Sequence, residues 1–201
     1  MTGARALRVG ALLGAGLLVA PIADAADGKG QFGVRGAGLV TCAIYERERQ
    51  ARSPAYQVIA GWMDGYVTGT NQHAPDTYDV ASFESTEMLA AIVSERCKKN
   101  PDVPVFVVLR ALMEQAGKER LRAPSRKIEV AVGERKVLLY EEVLRRIQVK
   151  LAAGGFYRGR IDGTYDAKTR QAMQAYQTSV KLQPTGFPDQ VTLWRLLHGG
   201  K

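Results

Sequence analysis

The stretch that decides the reading is Gly155–Gln177, "GFYRGRIDGTYDAKTRQAMQAYQ". Small or turn-forming residues interrupt its first half at Gly155, Gly159, Asp162 and Gly163. An amphipathic pattern follows at once, with Ala172, Met173, Tyr176 and Val180 at helical spacing. Asp162-Gly163 spells a tight turn in which Gly163 is suited to a positive φ. "DAKT" (Asp166 to Thr169) then puts an Asp where a helix N-cap falls, and "DQVT" (Asp189 to Thr192) repeats the arrangement. Such a cap accepts the N2 or N3 amide and contributes about 1 kcal/mol. Upstream, Val143, Leu144, Ile147 and Leu151 mark a helix stopped by Gly154-Gly155. Downstream, Leu193, Leu196 and Leu197 mark another, entered through the Thr185-Gly186 turn and ended by Gly199-Gly200. The spacing predicts three short helices over 140–198.

Arg158, Arg160, Lys168 and Arg170 cluster around the Asp162-Gly163 turn and the start of the middle helix, beside Tyr157 and Tyr165. Guanidinium and ammonium groups suit carboxylates, Arg bidentately, and amphipathic rings cover sugars while keeping a polar tip. Tyr157, Arg158, Arg160, Asp162, Tyr165, Lys168 and Arg170 are therefore the candidate ligand-binding residues. The competing reading makes Tyr165 and Phe156 core residues and the cations a solvated face. Tyr176 and Gln177 read as structural.

The residues from Val143 to Leu197 resemble the small three-helix peptidoglycan-binding domain of many cell-wall hydrolases. That family reads Q-x-x-L-x-x-x-G-[YF], x-G-x-x-D-G-x-[FY]-G-x-x-T, [FY]-Q, L-x-x-x-G and D-x-x-T-L in order. Gln148, Leu151, Gly155, Phe156, Gly159, Asp162, Gly163, Tyr165 and Thr169 match the first part. Tyr176, Gln177, Leu182, Gly186, Asp189, Thr192 and Leu193 match the rest. Asp166 departs from the family's Gly after the aromatic. The resemblance implies a trihelical fold and a peptidoglycan partner, with stem-peptide carboxylates, amides and amino-sugars as the groups to be recognised.

Ahead of this module, Ile59, Trp62, Met63, Tyr66 and Val67 form one helical stripe, Met88, Leu89, Ile92 and Val93 a second, and Val105, Val108, Leu109, Leu112 and Met113 a third. Asn100-Pro101 stops the second of these helices and Gly117 is placed as the C′ residue of the third. Leu39, Cys42 and Tyr45 sit on a shorter helical segment. Cys42 and Cys97 are the two cysteines, and an even pair in an exported chain points to one disulfide. Closing that loop contributes roughly 4 kcal/mol in the chain-entropy picture. Cys42, Tyr45, Cys97 and the Asn100-Pro101 break also resemble the HdeA-type family of helical periplasmic proteins. That resemblance implies a small all-α domain held by one interhelical disulfide, in a family that includes acid-stress chaperones and secreted-effector immunity proteins.

Lys118–Lys127 is basic, lacks a stripe and holds Pro124, so it reads as a linker. In "KIEVAVGERKVLLY" (Lys127–Tyr140), Ile128, Val130 and Val132 alternate with Glu129 and Ala131. Gly133-Glu134 suits a two-residue type II′ turn before a return strand, Lys136–Tyr140. The expected organisation is mostly α: a signal peptide over 1–25, a flexible leader over 26–38 and a disulfide-linked helical domain over 39–117. A basic linker with a β-hairpin over 118–139 and the peptidoglycan-binding-like three-helix bundle over 140–198 complete it.

The signal peptide rests on Arg5 and Arg8, the apolar run Val9–Ala20, Pro21 and the small-x-small "ADA" that places cleavage after Ala25. It implies a periplasmic or secreted protein with no membrane span after cleavage. Net charge is −3 over Gly36–Gly117, +4 over Lys118–Leu139 and +5 over Tyr140–Lys201. A basic exported segment fits an anionic wall, and export argues against nucleic acid. There is no CxxC and no HxxxH, and no pattern calls for a metal or another cofactor. Asp64, Asp76, Asp79 and His73 form no catalytic pairing, so the expectation is a non-enzymatic wall-binding protein whose helical domain meets another periplasmic protein. A wall hydrolase, or an accessory to one, with a targeting module is one alternative; a chaperone or inhibitor carried by the disulfide-held domain is another.

Overall fold

Ser53, Ser85, Asp166 and Asp189 each stand immediately before a helix and accept a backbone N–H from its first turn through a side-chain oxygen. These caps satisfy amides that no helical carbonyl reaches, and they fix where the elements start. The computed structural model describes Asp27, Lys29 and residues 31–199. The expected signal peptide and its cleavage point lie outside the described residues. In the short segment ahead of residue 34, Asp27 Oδ1 accepts the Lys29 and Gln31 amides at 2.9 and 2.7 Å.

The described chain is mostly helical. Its N-terminal half holds α1 (Cys42–Gln50), α2 (Pro54–His73), α3 (Thr86–Cys97) and α4 (Val105–Ala116). Tyr45, Ile59, Met63, Leu89, Val93, Leu109 and Leu112 fill the core between them. The predicted stripes thus supply the core, with Trp62, Tyr66 and Val67 packed at its edge. The Cys42–Cys97 disulfide is formed and joins the start of α1 to the end of α3.

Three readings change here. The leader expected over 26–38 is already ordered at its end: Gly36–Leu39 is a 3-10 turn on α2, and Gly38 lies so close to the Trp62 indole that a Cβ would come within 2.2 Å of it. Leu39 belongs to this turn and is exposed, not part of the α1 stripe. Gly117 keeps a right-handed φ of −56° and leads into a 3-10 turn, Gly117–Glu119, in place of a left-handed C′ cap.

The stretch read as a linker is tied down. Leu121 is 1 % exposed and pairs with Asp79 as an isolated antiparallel bridge, with Leu121 N–H donating to Asp79 O at 2.8 Å. Arg120 and Arg122 both ion-pair with Asp76. The hairpin follows as expected: β1 (Lys127–Val132) pairs antiparallel with β2 (Arg135–Tyr140), with Val132 opposite Arg135. Of the two loop residues only Gly133 has a positive φ, +60°, the pattern of a type II′ turn and not of type I′.

The C-terminal half holds α5 (Glu141–Ala153), α6 (Ala167–Ser179) and α7 (Gln190–His198). Val143, Leu144, Ile147, Leu151, Met173 and Leu193 are wholly buried between them, and Val130 and Leu139 of the hairpin join this core. Each half has its own core, but residues 34–201 form one compact unit. The seam is made by α7. Gln190 Nε2 donates to Phe83 O at 2.8 Å while its Oε1 accepts the Ser85 amide at 2.9 Å. One turn on, Trp194 packs against the N-terminal core, and one turn further His198 meets Glu84.

Candidate functional site

Two buried glutamines organise the C-terminal half. Gln148 on α5 accepts the Asp162 and Gly163 amides on Oε1, both at 2.9 Å, and its Nε2 donates to Thr164 O at 2.9 Å. Gln177 on α6 accepts the Gly186 amide at 2.8 Å and donates to Phe187 O at 3.0 Å. Each ties down the glycine turn ahead of the next helix, and each also reaches the threonine of that helix's first turn, Thr169 or Thr192. Those threonines are in turn bonded through both N–H and hydroxyl to the capping Asp166 and Asp189. The two matching helix starts in the sequence are therefore two copies of one device: a buried amide holding a glycine turn against a capped helix.

This network explains the tolerance of Asp166. Its backbone is extended, at φ −83° and ψ −178°, and its side chain caps α6. The position makes no demand for glycine.

The network also absorbs several candidate ligand residues. Asp162 holds its own turn: its carboxylate accepts the Thr164 hydroxyl at 2.7 Å, the Thr164 amide at 3.0 Å and Gln148 Nε2 at 3.3 Å. The Thr164 bonds, ahead of that from Gln148, hold its pKa down at about 2. Tyr157 is 5 % exposed. Its hydroxyl donates to Arg160 O at 2.8 Å and lies 3.4 Å from Gln148 Nε2. It is mostly a core ring under the Gly159 turn, and only its small exposed part lines the groove described next. Tyr165 is half-buried and donates to Gly186 O at 2.8 Å, and burial pushes its phenol upward in pKa.

The cations separate as well. Arg158 and Lys168 line one open groove, between the turn at Gly155–Gly159 and the outer face of α6. Phe156, Tyr157, Gln171, Ala172 and Ala175 also line it. Phe156 is braced edge-on against Tyr176, with ring centroids 5.8 Å apart. Arg170 is not in this groove; it flanks the Gly186 turn, its Cγ lying where a Cβ on Gly186 would fall. Arg160 is exposed beside Asp162. None of these four cations forms an ion pair among the described residues. The groove thus keeps two of the seven candidates as accessible charges, and adds Phe156 and Gln171. Sequence reasoning named neither as a ligand residue: Phe156 stood as a motif match and as a core ring in the competing reading, and Gln171 carried no signal.

The tempting acids of the N-terminal half are engaged singly. Asp64 accepts the Thr86 hydroxyl at 2.8 Å, Asp76 pairs with Arg120 and Arg122, and Asp79 accepts the Asn71 amide at 3.3 Å, while His73 is exposed. Among the described residues no three His, Cys, Asp or Glu gather as metal ligands, and no helix is long and apolar enough to cross a membrane.

Residues 141–196 match a family model described as "putative peptidoglycan binding domain", so the stretch that forms α5, α6 and most of α7 is similar to that domain. No curated protein and no solved structure matches the chain. The family match does not extend to α1–α4, and the HdeA-type resemblance gains no support from these comparisons.

Proposed function

We propose that the chain is an exported, non-catalytic cell-wall protein that docks on peptidoglycan through residues 141–196 and presents α1–α4 to another periplasmic protein. The observation that carries this reading is the family match over α5–α7 together with the groove it contains, where Arg158 and Lys168 stand without ion pairs beside Phe156. Stem-peptide carboxylates meet the two cations, and the ring offers an apolar edge to methyl groups or a sugar face. The charge of the segment supports it too, since Tyr140–Lys201 carries a net +5. Export is supported by the N-terminal pattern ending at Ala25 and agrees with a formed disulfide. The absence of catalysis is proposed because Asp64, Asp76 and Asp79 are each spent on separate local contacts.

The test is co-sedimentation of purified protein with insoluble peptidoglycan sacculi at low salt. Retention in the pellet, weakening as salt screens the cations, is the expected result. Complete recovery in the supernatant at low salt refutes wall binding, and release of soluble muropeptides from the sacculi refutes the non-catalytic part.

A further inference from the structure

The seam between the two halves encloses a second concavity, separate from the wall-binding groove. Its volume is about 230 Å³, larger than the roughly 150 Å³ of an apolar cavity able to take benzene. Val80 and Phe83 line it from the N-terminal half, and Val143, Val149 and Leu197 from α5 and α7. The walls are fixed by hydrogen bonds on both sides. On one side Gln190 and His198 hold the segment Phe83–Ser85. On the other the Arg146 guanidinium donates to Glu119 O and, at 3.2 Å, to Arg120 O. The hollow is therefore built into the seam, at the kind of junction where ligand pockets concentrate.

The charges around it sort into two classes. Most are already paired: Arg145 with Glu141 at 2.6 Å, Arg146 with Glu142 at 3.6 Å, and His198 with Glu84 at 3.0 Å. Glu119 and Lys150 also line the hollow, both exposed and neither in an ion pair among the described residues. They come from different elements, Glu119 from the turn after α4 and Lys150 from α5. One carboxylate and one ammonium residue, neither ion-paired among the described residues, thus stand on the lining of a largely apolar hollow.

We propose that this seam pocket binds a small zwitterion with an apolar side chain, the chemistry of a free apolar α-amino acid. The side chain enters between Phe83, Val143 and Leu197, the ligand ammonium meets Glu119 and the ligand carboxylate meets Lys150. An apolar acid or amine satisfies one of the two charges only, which gives the site its selectivity.

The experiment is a 1H–15N NMR titration of the disulfide-bonded protein with three probes: L-leucine, 4-methylpentanoate, which lacks the ammonium, and 3-methylbutylamine, which lacks the carboxylate. Leucine shifts the amide signals of Val80, Phe83 and Leu197 saturably, and each analogue binds about tenfold more weakly. Lys150→Gln weakens leucine about tenfold and leaves the amine unchanged; Glu119→Gln weakens leucine similarly and leaves the acid unchanged. Both are exposed positions, so the variants keep the fold. Equal binding of all three probes, leucine binding unaltered in both variants, or no movement of the seam signals overturns the proposal.

Discussion

His198 Nε2 lies 3.0 Å from Glu84 Oε1, across the seam between the C-terminal three-helix half and the helices that precede it. The contact is the last of three on one edge of α7, after Gln190 and Trp194, each four residues from the next. A single helix edge, at i, i+4 and i+8, thus docks the C-terminal half on the N-terminal core and the segment that leads into α3. The domain is held, not tethered, and its groove faces a fixed direction relative to α1–α4.

That docking has a measurable cost when broken. Trp194 packs against the N-terminal core from outside it. Trp194→Ala is expected to lower stability by about 2–3 kcal/mol and to split urea unfolding into two transitions, one for each core. A single transition at an unchanged midpoint would show that the seam contributes nothing.

Gln148 is fully buried and serves two amides and a carbonyl of the Asp162–Thr164 turn. Gln148→Leu keeps the volume and leaves those groups without partners. The expected loss is about 3 kcal/mol, read from the urea midpoint. A change below about 1 kcal/mol would mean water replaces the amide at no cost.

Gly163 and Gly133 both have positive φ, +76° and +60°, but their surroundings differ. A Cβ at Gly163 would meet Glu141 O at 2.8 Å, while nothing lies within 4 Å of one at Gly133. Gly133→Ala should therefore cost only the backbone strain, about 1 kcal/mol, and Gly163→Ala at least twice that. Thermal melts of the two variants decide it, and equal losses would contradict the packing described at α5.

Asp162 gives a pH signature. Its folded pKa of about 2 lies below the ordinary 3.8. Its contribution to stability is thus present above the ordinary value and disappears as pH falls through about 2. Asp162→Asn should flatten the decline in unfolding midpoint between pH 4 and about pH 2. If the variant and the parent lose stability in parallel over that window, the turn does not depend on the carboxylate.

The groove assignment separates the cations. The double variant Arg158→Glu, Lys168→Glu is expected to reduce retention on sacculi about tenfold, while the charge-matched double variant Arg160→Glu, Arg170→Glu, outside the groove, leaves it nearly unchanged. Equal losses in the two proteins would point to diffuse attraction by the basic surface and away from a defined groove.

Helix starts, the hairpin with its Gly133 turn, the core stripes and the three-helix module were legible in the sequence, because each is set by local chemistry. An Asp before a helix caps it, a glycine of positive φ turns the chain, and apolar residues at helical spacing mark the side that must leave water. The family motif was legible for the same reason, since its glycines, glutamines and threonines recur at fixed offsets. Direction and partnership between elements were not legible. Tyr157 sits in a turn where no periodicity says which way a ring points, and only the Arg160 carbonyl and Gln148, brought together by folding, turn it inward. Arg158 and Lys168 share a groove while Arg170 does not, because α6 turns Lys168 toward the Arg158 turn and Arg170 toward the Gly186 turn. The linker is fastened by Leu121 against Asp79 and the two halves are joined along α7, both by contacts between residues far apart in the chain. Local sequence fixes what each segment can bury and where it bends; which distant surface accepts it is settled only when all the segments pack at once.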